Sequence, residues 1–144
     1  IDTHSFYKKL KLLGIENDNN LTISQVDLQN SDDLSKFIND IQPDTIINLS
    51  GPSSVYRSLS DNRKSYNEII SIFDNIVNAV KKNSLKPTIF QASSSEMFEN
   101  NGTGIFNESS KLKGTTPYAE AKVKNHLKSI EIYKNDGLKI YDLI

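Results

Sequence analysis

The chain has 144 residues, of which 17 are basic, 18 are acidic and none is cysteine. A formal net charge of −1 argues against a protein that binds nucleic acid or an anionic membrane through a basic surface. The lack of cysteine excludes disulfides and thiolate metal sites. His4 and His126 lack the spacing of metal ligands, and no apolar run approaches the length of a membrane span, so we expect neither a metal site nor a membrane segment.

Helical and extended patterns alternate from the first residues onward. Apolar residues at helical spacing predict a helix over residues 3–13. Alternation of apolar and polar residues predicts a strand over residues 21–28, which brings the Asp27 carboxylate to the end of that strand. A second helix follows, for which Ser31 is the predicted N-cap and Pro43 the stop signal.

The middle of the chain continues the alternation. Residues 45–49 form a short apolar run that is typical of a buried parallel strand. The small residues at 50–54 predict a loop in which a ligand can approach the backbone. An apolar stripe then predicts a long helix over residues 63–83, and a β-branched run predicts a strand over residues 88–92.

One more helix and one more strand complete the pattern. Pro117 suits the first turn of the helix, Gly137 suits its end, and the apolar run 138–144 predicts a strand that is cut short. The alternation favours an α/β fold with a Rossmann-like, doubly wound parallel sheet. The glycine-rich turn that opens such sheets is absent, so we interpret residues 1–144 as a fragment of a single domain that lacks the first strands and the C-terminal substrate domain.

Two short motifs carry the chemical signal. The first, at residues 91–98, reads Gln-Ala-Ser-Ser-Ser-Glu-Met-Phe and directly follows a predicted strand, at the end where open α/β sheets bind ligands. The second, at residues 118–122, reads Tyr-Ala-Glu-Ala-Lys. Because residues four apart share one face of a helix, the ammonium of Lys122 can make the Tyr118 phenol a usable acid or base near neutral pH.

Each motif has an ordinary explanation when it stands alone. A Tyr and a Lys four apart arise by chance in a chain with six tyrosines, and a serine run can be a turn or a helix cap. Glu96 by itself can be an exposed carboxylate, and Asp27 a strand-end cap. Both motifs in this order, one after a strand and the other opening the next helix, favour a redox-enzyme site.

The same residues resemble the extended short-chain dehydrogenase/reductases that act on nucleotide sugars, and among them GDP-mannose 4,6-dehydratase. The segment 91–98 and the Thr-Pro-Tyr-Ala start at 116–119 are similar to the serine, glutamate and Tyr-Lys segments of that family. Gln42-Pro43-Asp44 with the following strand, then Ser53 and Val55, is similar to its fourth-strand region. Related dTDP-glucose dehydratases and UDP-glucuronate decarboxylases share the arrangement, so another nucleotide-sugar enzyme or a non-catalytic nucleotide-binding relative stays open.

The resemblance implies a cytoplasmic hydro-lyase that converts GDP-mannose, or another nucleotide sugar, with bound NADP or NAD, and that is a homo-oligomer at full length. It implies that Ser94 hydrogen-bonds the C4 hydroxyl of the sugar, that Tyr118 removes its proton, and that Glu96 catalyses the elimination. It implies a cofactor-binding set of Asp27, Leu28, Leu49, Ser50, Gly51, Pro52, Ser53, Tyr118 and Lys122. We expect the isolated fragment to be inactive.

Several residues depart from the family pattern. Glu99 stands where the family has glycine, Ser50-Gly51-Pro52 replaces a Gly-Ala-Gln or Ala-Ala-Gln sequence, and Lys64 falls near the position of a cofactor-contacting tyrosine. The loop at 100–113 also differs in composition. These departures concern cofactor contacts and substrate choice more than the type of reaction.

Overall fold

The computed structural model describes residues 3–52, 62–99 and 104–144. Its helices are α1 (Thr3–Leu12), α2 (Ser31–Ile41), α3 (Asn62–Lys82) and α4 (Pro117–Asp136), and its strands are β1 (Thr45–Asn48), β2 (Thr88–Ala92) and β3 (Ile140–Leu143). A short 3-10 turn, Ser95–Met97, follows β2. Helix α1 confirms the first predicted helix, and α3 and α4 confirm the two long ones within a residue or two.

The three strands form one parallel sheet in the order β1-β2-β3. Ile46, Ile89 and Ile140 lie side by side in the register of the sheet. This arrangement confirms the predicted α/β class and the parallel sheet. Because parallel strands end on the same side, the segments that follow β1 and β2 meet at one edge of the sheet.

The hydrophobic core lies between one face of the sheet and a layer of helices. The row Ile46, Ile89 and Ile140 packs there against the apolar stripe of α3, in which Phe73 is 1% exposed and Val80 is fully buried. Helix α3 contacts α2 on one side and α4 on the other. The predicted stripe of α3 is therefore the centre of the core, as period-3.6 spacing requires.

The opposite face of the sheet carries a second apolar row, formed by Ile47, Phe90 and Tyr141. The rings of Phe90 and Tyr141 stack at 5.6 Å. Ile47 is 63% exposed, which corrects the prediction that residues 45–49 form a strand buried on both faces. The reason is that α2, α3 and α4, the helices of the described ranges that contact the core, all belong to the other layer.

Two further predictions need correction. Residues 21–27 form no strand, because the described part of the chain offers them no neighbouring strand for a hydrogen-bond ladder. Val26 and Leu28 still pack against the core. The cap of α2 is Asn30 and not Ser31: the Asn30 side chain accepts hydrogen bonds from the first-turn amides, and Ser31 is already helical.

Local signals fix both ends of α4. Thr116 is its N-cap, with the hydroxyl oxygen 3.2 Å from the amide nitrogen of Ala119, and Pro117 occupies the first turn. Gly137 ends the helix at φ 68°, a conformation that favours glycine, and its amide donates to the Tyr133 carbonyl. These caps fix where the helix begins and ends, which places Tyr118 in its first turn and Lys122 one turn later.

Truncation of the central core residue should be severe. In the natural full-length protein we expect Phe73→Ala to lower the free energy of unfolding by about 3–5 kcal/mol, because the ring is fully enclosed and leaves a cavity. Urea denaturation measures this loss. Leu127→Ala, at a position 55% exposed, is the matched control and should change the stability by less than about 0.5 kcal/mol. A loss below about 1 kcal/mol for Phe73→Ala would contradict the packing described here.

Candidate active site

A row of polar side chains crosses the sheet at its carboxyl edge. Asn48, Gln91 and Asp142 are paired in register on β1, β2 and β3, two residues beyond the isoleucine row of the core face. Asn48 is 5% exposed and Gln91 is 3% exposed. Buried polar groups need hydrogen-bond partners, so this row constrains everything that packs on it.

Asn48 links β1 to its neighbours through both ends of its amide. Its nitrogen donates to the Gln91 side-chain oxygen at 2.7 Å. Its oxygen accepts from the Ser50 amide at 3.1 Å and also from the Ser50 hydroxyl. The start of the small-residue loop is thereby fixed to the sheet, and Gly51 follows at φ 101°, where a larger side chain would be strained.

Lys122 reaches the same row from α4. The lysine is 5% exposed, and its ammonium donates to the Ala92 carbonyl oxygen at 2.7 Å. The Gln91 side-chain nitrogen donates to the same carbonyl at 3.0 Å. Burial lowers the pKa of the Lys122 ammonium, and the negative charge of Asp142 opposes that shift.

Tyr118 and Lys122 lie on one face of α4, as the spacing predicts. Tyr118 is 7% exposed and packs against Ile69 of α3 and Ala121. The Lys122 ammonium is 5.6 Å from the centre of the Tyr118 ring. The pair thus places an ammonium beside a phenol, and a phenol can act as an acid or a base.

Ser94 and Glu96 follow β2 directly, as predicted. The Ser94 hydroxyl oxygen caps the 3-10 turn and accepts from the Glu96 amide at 3.3 Å. Ser94 is half-buried, the Glu96 carboxylate is exposed, and α4 contacts the turn. The fold therefore brings the serine, the glutamate and the Tyr-Lys helix to one edge of the sheet.

Apart from Tyr118 and Lys122, the predicted cofactor residues form two segments, 27–28 and 49–53. Ser50, Gly51 and Pro52 lie at the carboxyl end of β1, on the edge that also carries Lys122. Leu49 is 74% exposed, and Ser53 lies outside the described residues.

The Asp27–Leu28 segment precedes α2, and Leu28 lines one cavity together with Leu49 and Ser50. Asp27 accepts from the Gln29 amide at 2.9 Å, and the Leu28 carbonyl accepts from the Asn75 side chain at 2.9 Å. Asp27 therefore caps a local turn, as expected of a strand-end residue with no role in cofactor binding. Its cofactor role stays a prediction.

The sequence-based prediction gave no site role to Asn48, Gln91, His126 or Asp142. The Asp142 side chain is 8% exposed, and its oxygen lies 3.0 Å from His126 Nδ1. The available signal was a polar residue at the end of each of three apolar strands. Its meaning depended on the register, which only the folded sheet provides.

Glu99, the main departure from the family pattern, forms ion pairs with the loop at residues 104–113. Its two carboxylate oxygens each lie 2.9 Å from a lysine ammonium, those of Lys111 and Lys113. The strand-like pairing of Phe98 with Leu112 and the stacking of Phe98 on Phe106 at 5.3 Å complete the attachment. The two ammonium groups lower the pKa of Glu99 to about 2.

A cavity of about 430 Å³ opens between this loop, the 3-10 turn and the end of β3. Phe98, Phe106, His126 and Asp142 are among its lining residues. In the ranges that the structure describes, no three His, Cys, Asp or Glu side chains are grouped as a metal site would require. Nor does any helix of those ranges combine the length and apolar character needed to cross a bilayer.

Comparison with known proteins identifies the family. Residues 3–144 match the family model described as GDP-mannose 4,6 dehydratase. The chain belongs to this family. Protein CapI of Staphylococcus aureus is a curated relative, 32% identical over 120 residues, an alignment that covers 83% of this chain and 35% of CapI.

Solved structures of related enzymes share the fold. The UDP-N-acetylglucosamine 4-epimerase of Methanobrevibacter ruminantium M1 is 26% identical, with a TM-score of 0.79 over 92% of this chain and 42% of that one. A double mutant of DesIV, the dTDP-glucose 4,6-dehydratase of Streptomyces venezuelae, is 18% identical, with a TM-score of 0.81 over 93% of this chain and 41% of that one. The chain thus spans between a third and about two fifths of the length of these relatives.

The Glu99 ion pairs predict a pH-dependent stability. Because the folded-state pKa is depressed, the stabilisation is complete above the ordinary value of 4.5 and is lost as the pH falls towards about 2. In the natural full-length protein, the urea midpoint of Glu99→Gln should therefore lie below that of the wild type at pH 6, and the two should converge near pH 2. Glu108→Gln, an exposed position in the same loop, leaves the pairs intact and serves as control. A gap of equal size at both pH values would contradict the assignment.

Proposed function

We propose that the protein carrying this chain is an NADP-dependent GDP-mannose 4,6-dehydratase, a lyase of nucleotide-sugar metabolism. The observation that carries the proposal is the Tyr118–Lys122 pair packed beside a turn that presents Glu96 at the carboxyl edge of the sheet. The family match over residues 3–144 supports it. The product would be a 4-keto-6-deoxy sugar, formed with no net consumption of cofactor.

The residues at this edge fit a nicotinamide cofactor. Lys122 offers a buried ammonium for ribose hydroxyls, and the fixed small residues Ser50, Gly51 and Pro52 leave room beside the backbone. Related solved structures contain such groups: NADPH in RMD of Pseudomonas aeruginosa and NAD in DesIV. A nicotinamide bound there would supply the acceptor for a hydride from C4 of the sugar and the donor for its return to C6.

The first half of the reaction is an oxidation at C4. Ser94 hydrogen-bonds the C4 hydroxyl, and Tyr118 removes the proton of that hydroxyl. The Lys122 ammonium, held by the Ala92 carbonyl, would stabilise the phenolate form of Tyr118, which is the form that accepts this proton. The positioning of these groups on a capped helix and a capped turn keeps the reacting atoms aligned.

The second half is an elimination, and Glu96 is the residue that distinguishes it. The C4 ketone acidifies the C5 hydrogen, so the Glu96 carboxylate takes that proton and then gives a proton to the departing C6 hydroxyl, which leaves as water. Glu96 is exposed in the part of the chain that the structure describes, so a bound sugar can contact its carboxylate. A 4-epimerase carries out no elimination and therefore needs no carboxylate at this position.

A second candidate is a UDP-sugar 4-epimerase, favoured by the 26% identity to the Methanobrevibacter enzyme. It would use Ser94, Tyr118 and Lys122 in the same oxidation and would leave Glu96 without a chemical role. A non-catalytic relative would bind nucleotide and reduce no cofactor. For either enzyme we propose a cytoplasmic location and a homo-oligomeric state, as the family resemblance implies.

Replacement of Glu96 tests the elimination. In the natural full-length protein with GDP-mannose, we expect Glu96→Gln to lower the rate of 4-keto-6-deoxy product formation by about 10²–10⁴-fold, because a general acid–base contributes about that much. NADPH binding, followed by fluorescence, should be unchanged. Glu131→Gln, an exposed glutamate farther along α4, is the matched control and should retain full activity. Undiminished turnover of Glu96→Gln would overturn the dehydratase proposal.

A further inference from the structure

Asp142 is a buried carboxylate at the carboxyl edge of the sheet. Its side chain is 8% exposed, and its register partner is Gln91 on β2. The next residue pair along the two strands is Ala92 and Leu143, so Asp142 lies one residue from the carbonyl that accepts the Lys122 ammonium. A buried carboxylate needs partners that offset the loss of hydration.

Two side chains of α4 supply those partners. His126 Nδ1 lies 3.0 Å from the Asp142 carboxylate, and His126 follows Lys122 by one helical turn. Burial raises the pKa of Asp142, and the positive charge of Lys122, which is bonded one residue farther along the sheet at the Ala92 carbonyl, opposes that rise. The strand and the helix are thereby joined by a charge cluster in addition to their apolar contacts.

The Lys122 ammonium needs a compensating negative charge. Its direct acceptor, the Ala92 carbonyl, is neutral and is shared with the Gln91 amide. Hydrogen bonds alone rarely repay the burial of a full charge, whereas a nearby carboxylate does so when the geometry is fixed. The sheet register and His126 hold Asp142 one residue from that carbonyl, and its negative charge acts on Lys122.

We propose that Asp142 is a positioning residue that keeps the Lys122 ammonium charged and seated at the Ala92 carbonyl, with His126 holding the carboxylate in place. The inference rests on the proposed function only in assigning Lys122 to the cofactor. It adds a residue that acts through Lys122 and touches neither cofactor nor sugar. Loss of the Asp142 carboxylate should therefore weaken cofactor binding mainly at alkaline pH, where Lys122 can lose its proton.

The groups that face Asp142 come from every element packed on it. Lys122, His126 and Ser129 belong to α4, and Gln91 belongs to β2. Glu108 of the loop and Lys139, just before β3, line the cavities beside the carboxylate. Imidazoles and carboxylic acids complete their titration below about pH 8, whereas the Tyr118 phenol beside Lys122 titrates in the alkaline range as an ammonium does. The comparison is therefore made in a Tyr118→Phe background, in which an alkaline change in cofactor binding reports on the ammonium.

The first experiment is a pH profile of NADPH binding by the natural full-length protein in the Tyr118→Phe background. Asp142→Asn, which keeps the shape and removes the charge, should move the alkaline midpoint of binding down by about one pH unit while affinity near pH 6.5 stays within about threefold. Asp74→Asn is the matched control, because it removes a carboxylate that pairs with Lys128 of the same helix. A uniform loss of affinity at every pH, or no change at any pH, would overturn the proposal.

A stability cycle tests the charge pair without relying on cofactor. Asp142→Asn and Lys122→Met should each lower the melting temperature, and the double variant should be more stable than the two losses added together predict, because it leaves no lone buried charge. If Asp142→Asn alone fails to fold, a double variant that does fold shows the same coupling. Additive losses would overturn the inference. A wild-type protein that binds no NADPH yet shows this coupling would refute the proposed function and leave the charge pair standing.

Discussion

The buried ammonium of Lys122 is the constraint on which the site depends. A positive charge that is 5% exposed is tolerated only where acceptors are already in place. The Ala92 carbonyl at the end of β2 supplies one, and Asp142 on β3 supplies the opposite charge. Both are fixed by the sheet, so the lysine determines how α4 lies across the strand ends. Tyr118, one turn earlier on that helix, is oriented by the same requirement.

The polar row beneath the lysine connects the remaining parts of the site. Asn48 bonds to Gln91 in one direction and to Ser50 in the other, while Gln91 donates to the carbonyl that also accepts Lys122. A ligand that contacts the loop after β1 therefore touches the same network as one that contacts α4. These hydrogen bonds connect Ser50, a predicted cofactor residue, with Lys122 of the predicted proton-transfer pair.

Local signals in the sequence were sufficient for most of the fold. Pro117, Gly137 and the stripe of α3 predicted helices that the structure confirms, since capping and period-3.6 burial act within one segment. The strand predicted at 21–28 was wrong because a strand needs a neighbour, and alternation alone cannot supply one. The pairing of Asn48 with Gln91 joins residues 43 positions apart, and no local pattern reveals it. The same is true of His126 and Asp142.

Glu99 shows how a departure from a family pattern can be structural. Glycine at this position would leave Lys111 and Lys113 without their shared carboxylate, so the charged residue and the altered loop form one unit. The unit lies beside the cavity at the end of β3 and does not alter the contacts of Lys122 or Ser94. We therefore attribute the departure to loop attachment, and it does not argue for a non-catalytic relative.

The most direct test of the central claim is isotope incorporation during turnover. The natural full-length protein is incubated with GDP-mannose and NADP in D₂O, and the sugar product is analysed by mass spectrometry and NMR. The account predicts a 4-keto-6-deoxy product with solvent deuterium at C5 and no accumulation of NADPH, because the C5 proton is lost to Glu96 and replaced from solvent. A product hexose of unchanged mass without deuterium, or no conversion of GDP-mannose at all, would contradict it.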